Sequence, residues 1–379
     1  GRKICVPLMT AIRRLILLDE LIETKIGHYY EYDKSVMEAF KNRQIPCVLY
    51  TRDALSNDIR QELQTKNAFQ YNPKSAVRKL KFIGPFLYRF RQWRQLQQQI
   101  RQVLRSEGQE PGTVFFIPNI FWFNLWPFAA AFGQTQHPVF LLYRTALSDT
   151  IDVSPLFKPF IHHLYKAAFR RLSKNRQVHF LTDSDVIATE FRQLYHHPMT
   201  VVPIPHVVEM DSPDFALMPD RFRFYLPGGA RIEKGIATIT EAIELLQQHH
   251  LEVMTRMTLV TQFFGEKEKE LLEPLQKRLQ ALSCETVFLG KLDSDAYQHE
   301  MKAAHILLIP YLNSRGYQAR TSGVLAEAIA AGKPFITSRD SWMDMQVKQY
   351  ETGLAIQDTS AQELAEAMLQ MMYDRSEER

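Results

Sequence analysis

A chain of 379 residues, 45% hydrophobic and 23% charged, is globular and long for a single core; two domains are expected and wholesale disorder is excluded. No apolar run reaches bilayer-spanning length, and the start lacks the basic-then-apolar layout of a secretory leader, so the expected place is the cytoplasmic side. The net charge of +4 hides an asymmetry, with 28 Lys+Arg against 17 Asp+Glu in residues 1–210 and 18 against 25 in residues 211–379.

RLILLDE (Arg14–Glu20) reads as a buried strand, Glu31 to Asn42 as a helix, and IPCVLYT as the next strand. Strand–helix–strand order favours a parallel sheet. Leu63 to Ser106 contains no acidic residue but carries Lys66, Lys74, Arg78, Lys79, Lys81, Arg89, Arg91, Arg94, Arg101 and Arg105. Phe82, Phe86, Tyr88, Phe90 and Trp93 are interleaved among them. A basic, aromatic-rich amphipathic segment suits an anionic headgroup surface, where each cation contributes about 1 kcal/mol. Nucleic acid would be drawn by the same charges.

TVFFIPN is a strand, Phe121–Phe132 an apolar aromatic stretch, and PVFLLYR a further strand that ends in Arg144. Residues 158–176 form a second acid-free basic segment, with Lys158, Lys166, Arg170, Arg171, Lys174 and Arg176. VHFLT then runs into DSDVIATEF. Asp183-Ser184-Asp185 superficially matches a metal-binding D-x-D, but Asp and Ser at a helix start are read as N-terminal caps. Neither the histidine pairs nor Cys5, Cys47 and Cys284 show a metal spacing, so no metal and no cofactor is expected.

TVVPIPHVV leaves the first domain, and Glu209–Arg221 reads as a linker. The boundary falls at 208/209, giving domains 1–208 and 209–379. The second domain repeats the alternation: RFYLPGG, TLVTQFF, ETVFLGK and HILLIPY as strands, with helices around Thr238–Gln248 and charged helices at 266–282 and 295–303. This suggests a second Rossmann-like unit. SAQELAEAMLQMMYDR is a helix in which Ser360 and Glu363 form a capping box.

Two stretches of this domain carry chemistry. GGARIEKG follows a strand, so Gly228 and Gly229 leave backbone room for a ligand, and Arg231 and Lys234 are spaced to hold one phosphate from both sides. A surface turn with two solvated charges is the bland alternative. In RTSGVLAEAIAAGKPFIT, Thr321, Ser322 and Gly323 open a helix with an apolar stripe, which Gly332 closes before Pro334. Its first-turn N–H groups suit an anion, and Glu327 lies one turn further in on the face of Gly323. A diphosphate there would bring an attached ribose to that carboxylate.

The segment from Pro310 to Pro334 resembles the nucleotide-sugar motif of bacterial family 4 glycosyltransferases. Pro310, Tyr311, Tyr317, Arg320, Ser322, Gly323, Glu327, Ala328, Gly332, Lys333 and Pro334 match the variant P-Y, Y-x-x-R-x-S-G, E-A, G-K-P. The resemblance implies a GT-B fold, two Rossmann-like domains facing each other across a cleft. It also implies a retaining transfer from a nucleoside diphosphate sugar to a polysaccharide, lipid-linked or other hydroxyl acceptor. Arg231, Lys234 and Glu327 would carry catalysis, offsetting charge on the leaving diphosphate. Gly228, Gly229, Tyr317, Arg320, Thr321, Ser322 and Gly323 would bind the donor. Gly27, His28 and Arg144 are the acceptor-side candidates; Arg144 stands where many relatives have histidine. The family's E-x7-E has Ala319 in place of its first glutamate.

An enzyme with a glycan or lipid-linked acceptor makes an anionic membrane surface, rather than nucleic acid, the expected partner of residues 63–106 and 158–176. The expected location is cytoplasmic, with a peripheral place on the inner membrane face. Two alternatives stay open: a GT-B sugar-nucleotide epimerase or hydrolase, and a non-catalytic glycan- or membrane-binding scaffold.

Overall fold

Continuous apolar runs, LILL after Arg14 in one case and ILLI in another, are strands of parallel sheets buried on both faces. The computed structural model describes residues 12–23, 28–53, 55–70, 84–121, 124–144, 158–205, 221–264, 268–313 and 321–377. The chain divides into two units, Gly1–Pro205 and His206–Arg379.

The first unit runs β1 (Arg14–Leu18), α1 (His28–Lys41), β2 (Cys47–Arg52), α2 (Asn57–Glu62), β3 (Lys66–Phe69), α3 (Gly84–Glu107) and β4 (Thr113–Ile120). It continues α4 (Leu125–Phe132), β5 (Val139–Tyr143), α5 (Lys158–Leu172), β6 (Val178–Thr182), α6 (Asp185–Tyr195) and β7 (Thr200–Val201). The strands form a seven-stranded parallel sheet in the order β3-β2-β1-β4-β5-β6-β7. Period-two alternation sorts its side chains. Leu15 and Leu17 join Tyr30 and Val36 of α1 and Ile59 of α2 on one face. On the other, Phe115 of β4 meets Phe132 of α4, and Tyr143 of β5 meets Phe169 and Phe191 of α5 and α6.

The acid-free stretch from Leu63 to Ser106 is not one continuous element. β3 occupies Lys66–Phe69, held to the sheet by buried Phe69, and α3 begins at Gly84. Leu96, Ile100 and Val103 recur at helical spacing and are buried, while Arg91, Arg94, Arg101 and Arg105 point to solvent. The helices α3 and α5 both pack on α4, and Arg101 and Arg171 donate to the carbonyls of Ala130 and Ala129 from its two sides. No helix among the described residues is long and apolar enough to cross a membrane.

The second unit runs β8 (Phe222–Gly229), a 3-10 turn (Ile232–Lys234), α7 (Ile236–His249), α8 (Leu251–Met254), β9 (Met257–Gln262), α9 (Lys269–Gln280), β10 (Glu285–Leu289) and α10 (Ser294–Ala303). It ends with β11 (Ile306–Ile309), α11 (Gly323–Ala330), β12 (Phe335–Ser338), α12 (Trp342–Tyr350), β13 (Gly353–Ile356) and α13 (Ala361–Glu377). Its parallel sheet has the order β10-β9-β8-β11-β12-β13. Phe224, Leu308 and Ile336 face α7, α9 and α13; Tyr225, Leu307, Ile309 and Phe335 face α10, α11 and α12. In α7 the stripe Ile236, Ile239, Ile243 and Leu246 is fully buried, and truncating one such side chain to Ala costs about 2–5 kcal/mol.

Candidate active site

In the second sheet, β8 leads toward β9 and β10 on one side, whereas β11 to β13 lie on the other. The switch point is therefore between β8 and β11, where loops leaving the strand ends diverge and make room for a ligand. Both candidate anion-binding stretches leave from these two strands. Gly228, next to last in β8, has a φ of 73°, a left-handed conformation, and a Cβ there would lie 2.7 Å from Lys234 Nζ. Gly235, with φ of 81°, closes the turn; a Cβ on it would meet the carbonyl oxygen of Pro310 at 2.2 Å, so only glycine lets the turn press on the end of β11. The Leu312 amide donates to the Glu233 carbonyl at 3.0 Å, tying the two loops together.

Lys234 is buried, and its Nζ donates to the Pro227 carbonyl at 2.9 Å and lies 5.7 Å from the Tyr311 ring centroid. Burial pushes its ammonium pKa down to about 7, and neighbouring Arg231 pushes the same way against Glu233 and Glu327. Lys234 thus feels charge from its own turn and from α11. Arg231 is half exposed and paired with Glu233 at 2.6 Å. Gly229 lies beside Phe264.

Ser322 is the N-cap of α11, its Oγ accepting from the Leu325 amide at 3.2 Å, so the chain enters the helix with the amides of Gly323 and Val324 ahead of the helical ladder. Glu327 stands one turn further, and its Oε2 accepts from the Tyr297 hydroxyl at 2.7 Å. Thr321 is half-buried just before the cap. Tyr317 and Arg320 lie outside the described residues.

The first sheet has its own switch point, between β1 and β4. RLILLDE is strand only to Leu18; Asp19 and Glu20 lie past the end of β1, where the polar row begins. Asp19 Oδ2 accepts from Asn119 of β4 at 2.7 Å, and Glu20 Oε1 accepts from Asn124 at 2.8 Å. All four are buried. Burial raises the Asp19 carboxyl to about 6, against the Leu21 amide, Asn119, Asp33 and Arg52. Burial likewise raises Glu20 to about 7, Asn124 and Arg52 opposing it and Asp19 adding to it. Asp33 on α1 is raised well above the usual range, first by burial and then by the charge of Asp19. Sequence reading passed over this row, because an Asp-Glu pair ending an apolar run looks like the strand's own end.

Arg144, just after β5, donates from Nε to Asp183 at 2.7 Å and stacks 5.0 Å from the Tyr32 ring centroid. Ser184, not Asp183, caps α6, accepting from the Ile187 amide. His28 opens α1 with its side chain outside the described residues, as is Gly27. Among the described residues no three of His, Cys, Asp and Glu come together as metal ligands.

Two parallel sheets of matching strand order, each with a polar switch point, define the GT-B glycosyltransferase fold. Solved structures match nearly the whole chain. HepE of Anabaena, in complex with UDP and glucose, has 14% identity and a TM-score of 0.62, covering 96% of this chain and 91% of that one. Sucrose-phosphate synthase of Thermosynechococcus elongatus has 17% and 0.64, covering 96% and 91%. A glycosyltransferase of Rickettsia africae has 12% and 0.65, covering 95% and 88%. At such identities these likenesses establish the fold. Residues 222–374 match the family Glycosyl transferases group 1, so the second unit carries a domain of that family. No curated protein sequence matches the chain.

Proposed function

We propose that the second unit binds a nucleoside diphosphate sugar, with the diphosphate between the β8 turn and the start of α11. The observation that carries this reading is the meeting, at the switch point, of the β8 turn with the chain that leaves β11 on the way to α11: Gly235 against Pro310, Leu312 bonded to Glu233, Lys234 over Tyr311. Backbone at Gly228, Gly229, Ser322 and Gly323 lines the diphosphate, with Thr321 beside it. Arg231 and Lys234 offset its charge, and Glu327 receives the ribose. Tyr317 and Arg320 serve the sugar. HepE was solved with UDP, which makes uracil the first base to test.

In the reaction the anomeric carbon's bond to the diphosphate oxygen breaks, and a bond to the acceptor hydroxyl oxygen forms with retained configuration. The hydroxyl proton passes to the departing nucleoside diphosphate, whose oxygen takes the electron pair of the broken bond. Catalysis rests on cations at the leaving diphosphate and on placing the acceptor, rather than on a strong protein base. The first unit holds the acceptor, a growing polysaccharide or lipid-linked glycan, near the polar row of Asp19, Glu20 and Arg144. Its exposed cations on α3 and α5, with Phe90 and Phe160 also exposed, rest on an anionic membrane surface.

A thermal-shift screen against UDP-, GDP-, ADP- and dTDP-sugars tests the donor, because a ligand specific to the native state raises its melting temperature. Stabilisation by one of them that Lys234→Ala and Arg231→Ala abolish is the expected result; binding undiminished by both changes would overturn the phosphate assignment. For the membrane face, sedimentation with anionic liposomes should weaken with added salt. Binding indifferent to lipid charge and salt removes that part of the reading.

A further inference from the structure

A phenol in a protein core needs an acceptor for its hydroxyl, because an unmet O–H costs more than the ring gains by being Tyr instead of Phe. Tyr297 of α10 packs its ring against the core formed by Val324, Leu325, Ala328 and Phe335. Its hydroxyl finds that acceptor in Oε2 of Glu327, at 2.7 Å. The partner is the carboxylate on α11, one turn in from Gly323, on the helix that opens at the switch point. Tyr225 from β8 and Tyr311 from the end of β11 stand close enough to raise the same hydroxyl's pKa, as do burial and Glu327 itself. Four separate elements thus converge on one hydroxyl–carboxylate pair.

The pair's chemistry has a direction. Burial, the Glu327 carboxylate and the neighbouring Tyr225 and Tyr311 together hold the Tyr297 hydroxyl well above its ordinary pKa, so it remains a donor at every working pH. A glutamate side chain has several free rotors, and fixing them on ligand binding costs affinity; fixing them beforehand does not. We propose that Tyr297 is a positioning residue for nucleotide recognition: its hydroxyl holds the Glu327 carboxylate in the orientation that receives the ribose hydroxyls. The inference rests on the donor reading above and adds a residue outside both anion-binding stretches.

The test uses the full chain and titrates the tightest-binding of UDP, GDP and ADP alongside inorganic pyrophosphate, which has no ribose. Tyr297→Phe keeps the ring and its packing but removes the donated bond. The expected result is nucleoside diphosphate binding weakened about tenfold, with pyrophosphate binding unchanged, in line with one hydrogen bond to a charged group. Glu327→Gln should weaken the nucleotide and spare pyrophosphate in the same way. Equal losses for both ligands in Tyr297→Phe mean a merely structural tyrosine and overturn the inference. So does nucleotide binding unchanged in Tyr297→Phe while Glu327→Gln weakens it; the donor reading then survives alone. Nucleotide binding unchanged in both variants removes Glu327 from the ribose and the inference with it. Wild-type protein that binds none of the nucleotides overturns the donor reading itself.

Discussion

The two sheets share one topology and opposite chemistries at the same place. Each places its first strand at the centre and switches direction beside it, between β1 and β4 in one unit and between β8 and β11 in the other. At the first switch point the buried groups are carboxyls and amides: Asp19, Glu20, Asn119 and Asn124. At the second, the buried titratable group is an ammonium, Lys234, with Arg231 beside it. A doubly wound sheet fixes where a ligand goes and leaves its chemistry to a handful of side chains at the strand ends. An acidic, hydrogen-bonding floor suits a hydroxyl-rich acceptor; a cationic one suits a diphosphate.

The largest effect expected from this contrast is at Lys234. Replacing it with methionine keeps the bulk and removes a buried cation that meets a carbonyl and a ring. Sugar transfer should fall by about 10²–10³-fold, the loss typical when one group facing developing charge is removed. Stability should hold or rise, because an ammonium with no carboxylate bonded to it is costly to bury. Steady-state kinetics and thermal unfolding on the same sample separate the two. Activity falling only in step with melting temperature would deny Lys234 any chemical role.

Arg144 offers the first unit's counterpart. It is paired with Asp183, whose side chain is 1% exposed, and stacked on Tyr32. Arg144→Ala leaves a buried carboxylate without its cation, so the first unit should lose about 3 kcal/mol, measured by denaturant unfolding. Arg144→Ala with Asp183→Asn should recover much of that, since the uncompensated charge is gone. No recovery in the double variant would mean that stacking on Tyr32, not charge, holds Arg144.

The opposite signs of the two floors give opposite responses to pH. Asp19 and Glu20 have folded-state pKa values raised to about 6 and about 7. Between about pH 4 and those values the native state keeps protons that the unfolded chain has released, so stability falls as pH rises through that window. Lys234 is depressed to about 7. From there to about pH 10.5 the unfolded chain holds the extra proton, and stability rises with pH. Hydrogen exchange, corrected for its intrinsic rate, reads the two trends separately on β1 and β8, with changes on the order of a few kcal/mol. Glu20→Gln should flatten the first trend and Lys234→Met the second. Protection of β1 that climbs between pH 4 and 7 contradicts the buried-acid assignment.

Sequence alone revealed what is local. The helix around Thr238–Gln248, the strand in HILLIPY and the helix opened by Thr321, Ser322 and Gly323 each follow from patterns within a few residues, and all three are present. The acid row was not legible, because the partners of Asp19 and Glu20, Asn119 and Asn124, lie about a hundred positions away and meet them only through the strand order. Tyr297 was hidden in SDAYQHEMKA, whose charges read as a solvated helix; its role depends on Glu327, thirty positions on. β3 escaped because KNAF offers one fully buried side chain, Phe69, amid a basic run. Polar residues are the least local of all, since what they do depends on what the fold sets opposite them.

The smallest effect is expected at Glu233, and it bears on how the cationic floor is held before a donor arrives. Its carboxylate takes Arg231 at 2.6 Å, with the arginine side chain 51% exposed, so the pair is screened by solvent. Glu233→Gln should change stability by less than about 0.5 kcal/mol. The turn's tie to β11 uses the Glu233 carbonyl, not its side chain, and persists. Removing the competing carboxylate leaves Arg231 to an incoming anion, so pyrophosphate should bind a few-fold tighter, most clearly at low salt. Looser binding in Glu233→Gln would mean that the carboxylate orients Arg231 toward the diphosphate instead of competing for it. Calorimetric titration at two salt concentrations distinguishes the cases, because relief of competition shrinks as salt rises whereas a lost orienting bond does not.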